Sequence, residues 1–418
     1  ISAVIGTNVT GVVENSATST LTLSGANTFS GGTTIKSGTA AGTVAAAFGT
    51  GTITIGDTSG SANATLSGGL AGTFTNAISV ASGNTGTAKI TDSAASIFSG
   101  AVTLNNHDLV LAPAASNLTL SGGVTGTGNL SLATTGAGTI TLSTASVNNT
   151  GTISNTGTGA GTSTISAAVG SNVTAITENS ATSALTVSGA LTVNAGGTTL
   201  TNSNASGSAL LTVSGGITGT GNVVLNNNSA IANGVTVSGT SVNNVGTVTN
   251  SGTGTGATAI SAVIGTNVTG VVENSATSAL TLSGVNTYTA ATTVSQGTVK
   301  VGVANAIGSG SAVTLANGGT LDLNGFNDAI GSLSGVTGST VTNGAATAAT
   351  LTAGANGTST SFDGVLQNGA GTLSLTKAGA GTLTLSGANS YGGVTTINAG
   401  VLSVGSLANG GANSNIGA

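Results

Sequence analysis

Apolar and polar residues alternate along this chain in very short runs: Leu21-Thr22-Leu23, Ile53-Thr54-Ile55, Leu118-Thr119-Leu120, Ile140-Thr141-Leu142, Leu321-Asp322-Leu323 and Leu383-Thr384-Leu385. A period of two sends one set of side chains to a buried face and the other to solvent, and glycine or asparagine bounds each run, so each reads as a strand. Helical spacing is sustained nowhere. Strands this short cannot build large separate cores, but they can coil, each turn pairing with the turns above and below at about 4.8 Å. The pattern predicts an all-β chain, a parallel β-helix (β-solenoid) shaped as an elongated rod. At roughly 20 to 25 residues per turn it would make about 17 to 21 turns and reach about 80 to 100 Å. The narrow interior should take Val, Ile, Leu and Ala and leave bulky aromatics little room, while repeated Asn or Thr form ladders between turns.

A longer period lies over the short one. Residues 1–25 and 260–284 are the same sequence with one change, Thr20 becoming Ala279, and residues 165–189 are a looser third copy. The second and third copies begin 95 residues apart (260 minus 165), and the flanks upstream match as well, SVNNTGTISNTGTG from Ser146 against SVNNVGTVTNSGTG from Ser241. One long unit therefore covers several turns, and residues 1–418 are expected to form one continuous solenoid.

Composition narrows the class. Only 3% of the residues are charged and 2% aromatic, 71 are Gly, and Pro113 is the one proline; an ordinary globular domain has about a quarter charged residues. Disorder is disfavoured because 38% are hydrophobic and recur in patterned runs. No apolar run approaches the roughly 18 to 20 residues of a membrane-spanning helix, and the aromatic girdles of an outer-membrane barrel are missing. A net charge of −5 with four lysines and no arginine argues against nucleic acid. There is no cysteine, so disulfides and thiolate metal sites are excluded. No charged and apolar leader follows Ile1, so any secretion signal is expected to lie outside this sequence.

Three segments share a more specific frame: LTLSGANTFSGGTTI from Leu21, LTLSGVNTYTAATTV from Leu280, and GAGTLTLSGANSYGGVTTINAGVLSVGS from Gly379. Each has a Leu-Thr-Leu strand, Ser-Gly, an Asn, an aromatic (Phe29, Tyr288, Tyr391), a Thr-Thr pair and a closing apolar residue. This frame resembles the repeats of autotransporter passengers, and residues 280–418 carry the resemblance most fully. LTVSGALTVNAGGTTL from Leu185 lacks the Asn-Thr-aromatic element. The resemblance implies a secreted, right-handed parallel β-helix on a Gram-negative-type cell surface, often part of a very large polypeptide; because the final GANSNIGA stops within a repeat, the chain is expected to be a fragment, a processed passenger or the ordered part of a larger fibre protein. It names no ligand.

Chemistry is sparse. The acids are Glu14, Asp57, Asp92, Asp108, Glu178, Glu273, Asp322, Asp328 and Asp363, the cations Lys36, Lys89, Lys300 and Lys377. Between Leu109 and Val272 the one charged residue is Glu178, so no paired-carboxylate site can form there. Asp322 and Asp328 read as a bend and a solvent-facing strand position. His107 and Asp108 are adjacent, and on a strand they would point to opposite faces, which defeats a simple relay; His107 reads as a loop residue. Glu14, Glu178 and Glu273 recur at one repeat position, each read as a solvated or corner-capping carboxylate. Calcium arrays and phosphate-binding loops are absent from the sequence, and Thr-x-Thr spacing is too irregular for an ice-binding face. Asn-Val-Thr and Asn-Leu-Thr sequons permit glycosylation.

These readings predict no catalytic, cofactor-binding or metal residues, no cofactor, and no enzyme. They predict an extracellular structural protein, a segment or subunit of a self-associating surface filament or matrix fibre; the alternative is an adhesin stalk contacting glycans, host or abiotic surfaces. Expected partners are other copies of itself, by end-to-end or lateral assembly.

Overall fold

Leu109 lies beside Leu130, and Ile140 beside Ser163, in parallel register; hydrogen bonds between neighbouring coils join residues such as Asp108 and Asn129, 21 apart, and Asn155 and Glu178, 23 apart. The computed structural model describes residues 1–407 and 414–417. Residues 408–413 and 418, within the 280–418 stretch that carries the resemblance most fully, therefore fall outside the described residues. Two compact units, Ile1–Gly215 and Gly216–Ala418, divide the chain. Among the described residues there is no α-helix.

In the first unit three ladders of parallel strands make the walls. One runs through Ala64–Gly68, Ala88–Asp92, Leu109–Leu111, Leu130–Leu132, Gly151–Asn155, Val173–Glu178 and Thr198–Asn202. A second runs from Gly72–Phe74 through Ser96–Phe98, Leu118–Leu120, Ile140–Leu142, Ser163–Ile165 and Leu185–Val187 to Leu211–Val213. The third starts at Ile53–Ile55 and Ile78–Val80, passes Val102–Asn105 and Val124–Thr127, and thins to single bridges at Val147, Val169 and Leu191. The second unit repeats the plan. The ten-residue strand Thr292–Val301 turns a corner within it, pairing through Thr292 to Val294 with one ladder and through Gly297 to Lys300 with the next. Each unit is thus a parallel β-solenoid, as the alternation predicted.

Strands read inward, outward, inward: Leu118 and Leu120 are buried while Thr119 between them is half-exposed. Stacking satisfies the backbone without a second layer, because every interior strand gives its N–H and C=O groups to the coils on either side. The expectation of little room for aromatics fails. Phe29, Phe48, Phe74, Phe98, Phe362, Tyr288 and Tyr391 are fully buried, and Phe48, Phe74 and Phe98 form a column with ring centroids 5.5 and 5.1 Å apart. Glycines make the space. A Cβ on Gly42 would lie 2.5 Å from Phe48 Cε2, and one on Gly335 would lie 2.7 Å from Phe362 Cε2, so the missing methyl on one strand is the volume occupied by the ring.

Candidate functional site

The shared frame of the three repeat segments is built around its asparagine. Asn27 accepts the Ile5 N–H at Oδ1 (2.8 Å) and donates from Nδ2 to the Ala47 carbonyl (2.6 Å). Asn286 does the same with Ile264 N–H (2.6 Å) and the Ala306 carbonyl (2.5 Å), and Asn389 with Leu366 N–H and the Asn415 carbonyl (2.7 Å each). One short amide has an acceptor and a donor pointing opposite ways, so each of these residues ties the coil before it to the coil after it. Asp lacks the donor and Ala lacks both groups. The aromatic two residues on is buried beneath, and its hydroxyl, where present, meets the first Thr of the pair: Tyr288 with Thr292 at 2.8 Å, Tyr391 with Thr395 at 2.7 Å.

Charge also sits inside the coils. Of the 13 charged side chains, six are buried: Glu14, Asp92, Glu178, Glu273, Asp328 and Lys377. Glu178 takes the interior position of its strand, registered between Asn155 and Asn202, accepting the Ser180 N–H (2.6 Å) and Asn155 Nδ2 (2.8 Å). Glu273 accepts the Ser275 N–H (2.7 Å) and Asn250 Nδ2 (2.9 Å). Both cap a corner, as expected, but neither is solvated. Burial pushes Glu178 up to about 7 and Glu273 up to about 8 against these hydrogen bonds.

Asp328 is likewise inside rather than solvent-facing. Its Oδ2 accepts the Ala306 and Ile307 N–H groups, and burial raises it to about 7. Asp322 instead accepts the Asn324 and Gly344 N–H groups at a bend, so the two aspartates serve separate turns. Lys377 has its ammonium on three backbone carbonyls, those of Ala378, Gly379 (2.8 Å) and Ala399 (3.3 Å). Lys377→Met keeps the length of the stem and strands those acceptors; a loss of about 1 to 3 kcal/mol is expected, read as a lower urea midpoint.

His107 lines an open cleft of about 490 Å³ with Asn84, Thr85, Thr87 and Asp108. Its Nδ1 lies 2.7 Å from the Asp108 carbonyl oxygen, whereas the Asp108 carboxylate accepts Asn129 N–H and Nδ2. The imidazole and the carboxylate therefore have separate partners, and both residues lie in the turn between Val102–Asn105 and Leu109–Leu111 rather than on a strand.

Outside, the second ladder of the first unit carries a regular array. Thr119, Thr141, Thr164, Thr186 and Thr212 stand in register on five successive coils. Two residues further along each strand come Ser121, Ser143, Ser166, Ser188 and Ser214, whose N–H groups continue the backbone ladder. Hydroxyls therefore recur about 4.8 Å apart between coils and about 6.6 Å apart along a strand. The sequence hid this because the coils differ in length, so the spacing along the chain is irregular where the spacing in space is not. No charge interrupts the array: between Asp108 and Glu178, and again from Glu178 to Gly215, the sequence has none.

Passenger-associated-transport-repeat models match residues 18–39, 277–301 and 375–404, which are the three coils carrying the asparagine staple and the buried aromatic. The chain is also 33% identical over 144 residues to a protein named adhesin BmaC autotransporter from Brucella suis biovar 1 (strain 1330), a match over 34% of this chain and 4% of that protein. The chain thus spans a small fraction of that relative's length. No solved structure matches.

Proposed function

With autotransporter passenger-type repeats built into three of its coils, the chain is, we propose, a surface-exposed, adhesin-like passenger segment of a Gram-negative bacterium that works without catalysis as a stalk and contact surface. The observation that carries this reading is the coincidence of the three matched repeats with the three asparagine-stapled coils. A solenoid fastened at intervals holds its length, and a stalk needs length and stiffness. The contact surface is the uncharged Thr–Ser array, which suits a polyhydroxylated partner such as a glycan. Each hydroxyl contributes little, and many in register contribute through multivalency. The relative's designation as an adhesin supports the same reading.

A test is display of the chain on a Gram-negative host through an outer-membrane translocator, with adhesion counted on glycan-coated glass. Displaying cells should be cleaved by external protease and should adhere well above cells carrying the translocator alone. Equal adhesion of the two would remove the contact role.

Self-association into a fibre is a second reading. What favours it is the surface left nearly free of repulsion once six of thirteen charges are buried. Electron microscopy of concentrated protein should then show laterally or end-to-end joined rods, and isolated rods would rule it out.

A further inference from the structure

Glu178 and Glu273 occupy the same position of the long repeat, 95 residues apart (273 minus 178), and each stands in the interior of a coil with an amide from the preceding coil on one oxygen. Each is fully buried. Along its own row the neighbours of Glu178 are Leu132, Asn155 and Asn202, and those of Glu273 are Asn250 and Val294. We propose that these two carboxyls are proton-dependent fastenings, each holding its coil closed when protonated and loosening it when ionised. The proposal is independent of adhesion and of the passenger reading.

The case rests on isolation. Nothing titratable faces Glu178 from any strand packed on it: Gly151–Asn155, Ser163–Ile165, Leu185–Val187 and Thr198–Asn202 contain no acid, base or tyrosine. Around Glu273, Gly246–Asn250, Thr258–Ile260 and Leu280–Leu282 are equally bare. Thr292–Val301 carries Lys300, half-exposed and registered beside Thr281 and Asp322. Tyr288, which precedes that strand, has its hydroxyl paired with that of Thr292. Neither carboxyl has a salt bridge; among the described residues the one ion pair is Lys36 with Asp57. An ionised carboxylate here would be a buried charge compensated only by dipoles.

Burial raises the two groups from an ordinary 4.5 to about 7 and about 8. The folded chain therefore keeps protons that the unfolded chain has already released. Stability is fully present below about 4.5 and is lost as pH rises through 7 and 8. Asp92 and Asp328, raised by burial to about 6 and about 7, add to the slope in the same direction.

The test is urea unfolding of the full chain at pH 5.5 and 8.5, beside Glu178→Gln, Glu273→Gln and the double variant. The wild type should have the lower midpoint at pH 8.5. Each glutamine should remove part of that loss, and the double variant should leave the share of Asp92 and Asp328. Exchange protection at the Ser180 and Ser275 amides, corrected for intrinsic rates, should fall by about tenfold or more across the interval in the wild type. A double variant with the full wild-type pH loss overturns the proposal. If the variants do not fold, carboxyl-carbon NMR titration of the wild type decides: midpoints above 6 for two glutamates support it, and fewer than two above 6 overturns it.

Discussion

Asn286→Ala is expected to destabilise the coils on both sides of it by about 2 to 6 kcal/mol, since it strips the Ile264 N–H and the Ala306 carbonyl of their partner together and leaving a buried polar group unpaired costs about 1 to 3 kcal/mol each. Asn286→Asp should be no milder: it keeps the acceptor, loses the donor and adds a charge to a buried site. Amide exchange is the measurement of choice, because unfolding of a repeat array is not one all-or-none event. Protection should collapse at Ile264 and in the Ala306 turn, while coils several turns away, such as Leu373–Lys377 and Thr382–Leu385, change little. The same substitution at Asn27 or Asn389 should give the same signature in its own coils, and unchanged protection at Ile264 would deny the staple its role.

Phe74→Ala should cost about 3 to 5 kcal/mol, the usual range for emptying a buried aromatic site. Phe74 stands between Phe48 and Phe98 in the column, and the backbone around it is fixed by pairing to Ser96–Phe98, so the walls cannot close on the cavity. The complementary change, Gly42→Ala, tests the same packing from the other side. Its methyl would meet Phe48 Cε2 at 2.5 Å and Ala47 Cβ at 2.9 Å, an overpacking of about 1 to 3 kcal/mol. Thermal or urea unfolding reads both, and a Phe74→Ala loss below about 1 kcal/mol would contradict the packed column.

Much of this fold is legible in the sequence because a solenoid is quasi-one-dimensional. The runs at Leu118-Thr119-Leu120 and Ile140-Thr141-Leu142 carry strand, face and burial at once, and the neighbouring coil is always about one repeat away. The three Asn-aromatic-Thr segments were equally visible, and they coincide with the matched repeats. The burial of Glu178, Glu273 and Asp328 runs against the expectation of solvated positions, although the signal for it, and for Lys377, is in the sequence. Continuing the alternation from Ile176 places Glu178 inside, from Val271 it places Glu273 inside, from Leu375 it places Lys377 inside, and stepping back from Ile330 it places Asp328 inside. A general expectation that charge is exposed outweighed a local periodicity that was right. What the sequence could not supply was partnership in space. The asparagine that bonds forward and backward, the glycine that makes room for a ring, and the threonines aligned on five coils all depend on turn lengths that vary from coil to coil.

The contact role of the hydroxyl array is the central claim, and replacing Thr119, Thr141, Thr164, Thr186 and Thr212 together with Val tests it most directly. Valine has nearly the shape of threonine and suits a strand, and these side chains lie outside the core, so surface display and the protease pattern should be unchanged. Adhesion of displaying cells to glycan-coated glass should fall several-fold; adhesion equal to that of the unmodified chain would contradict the account.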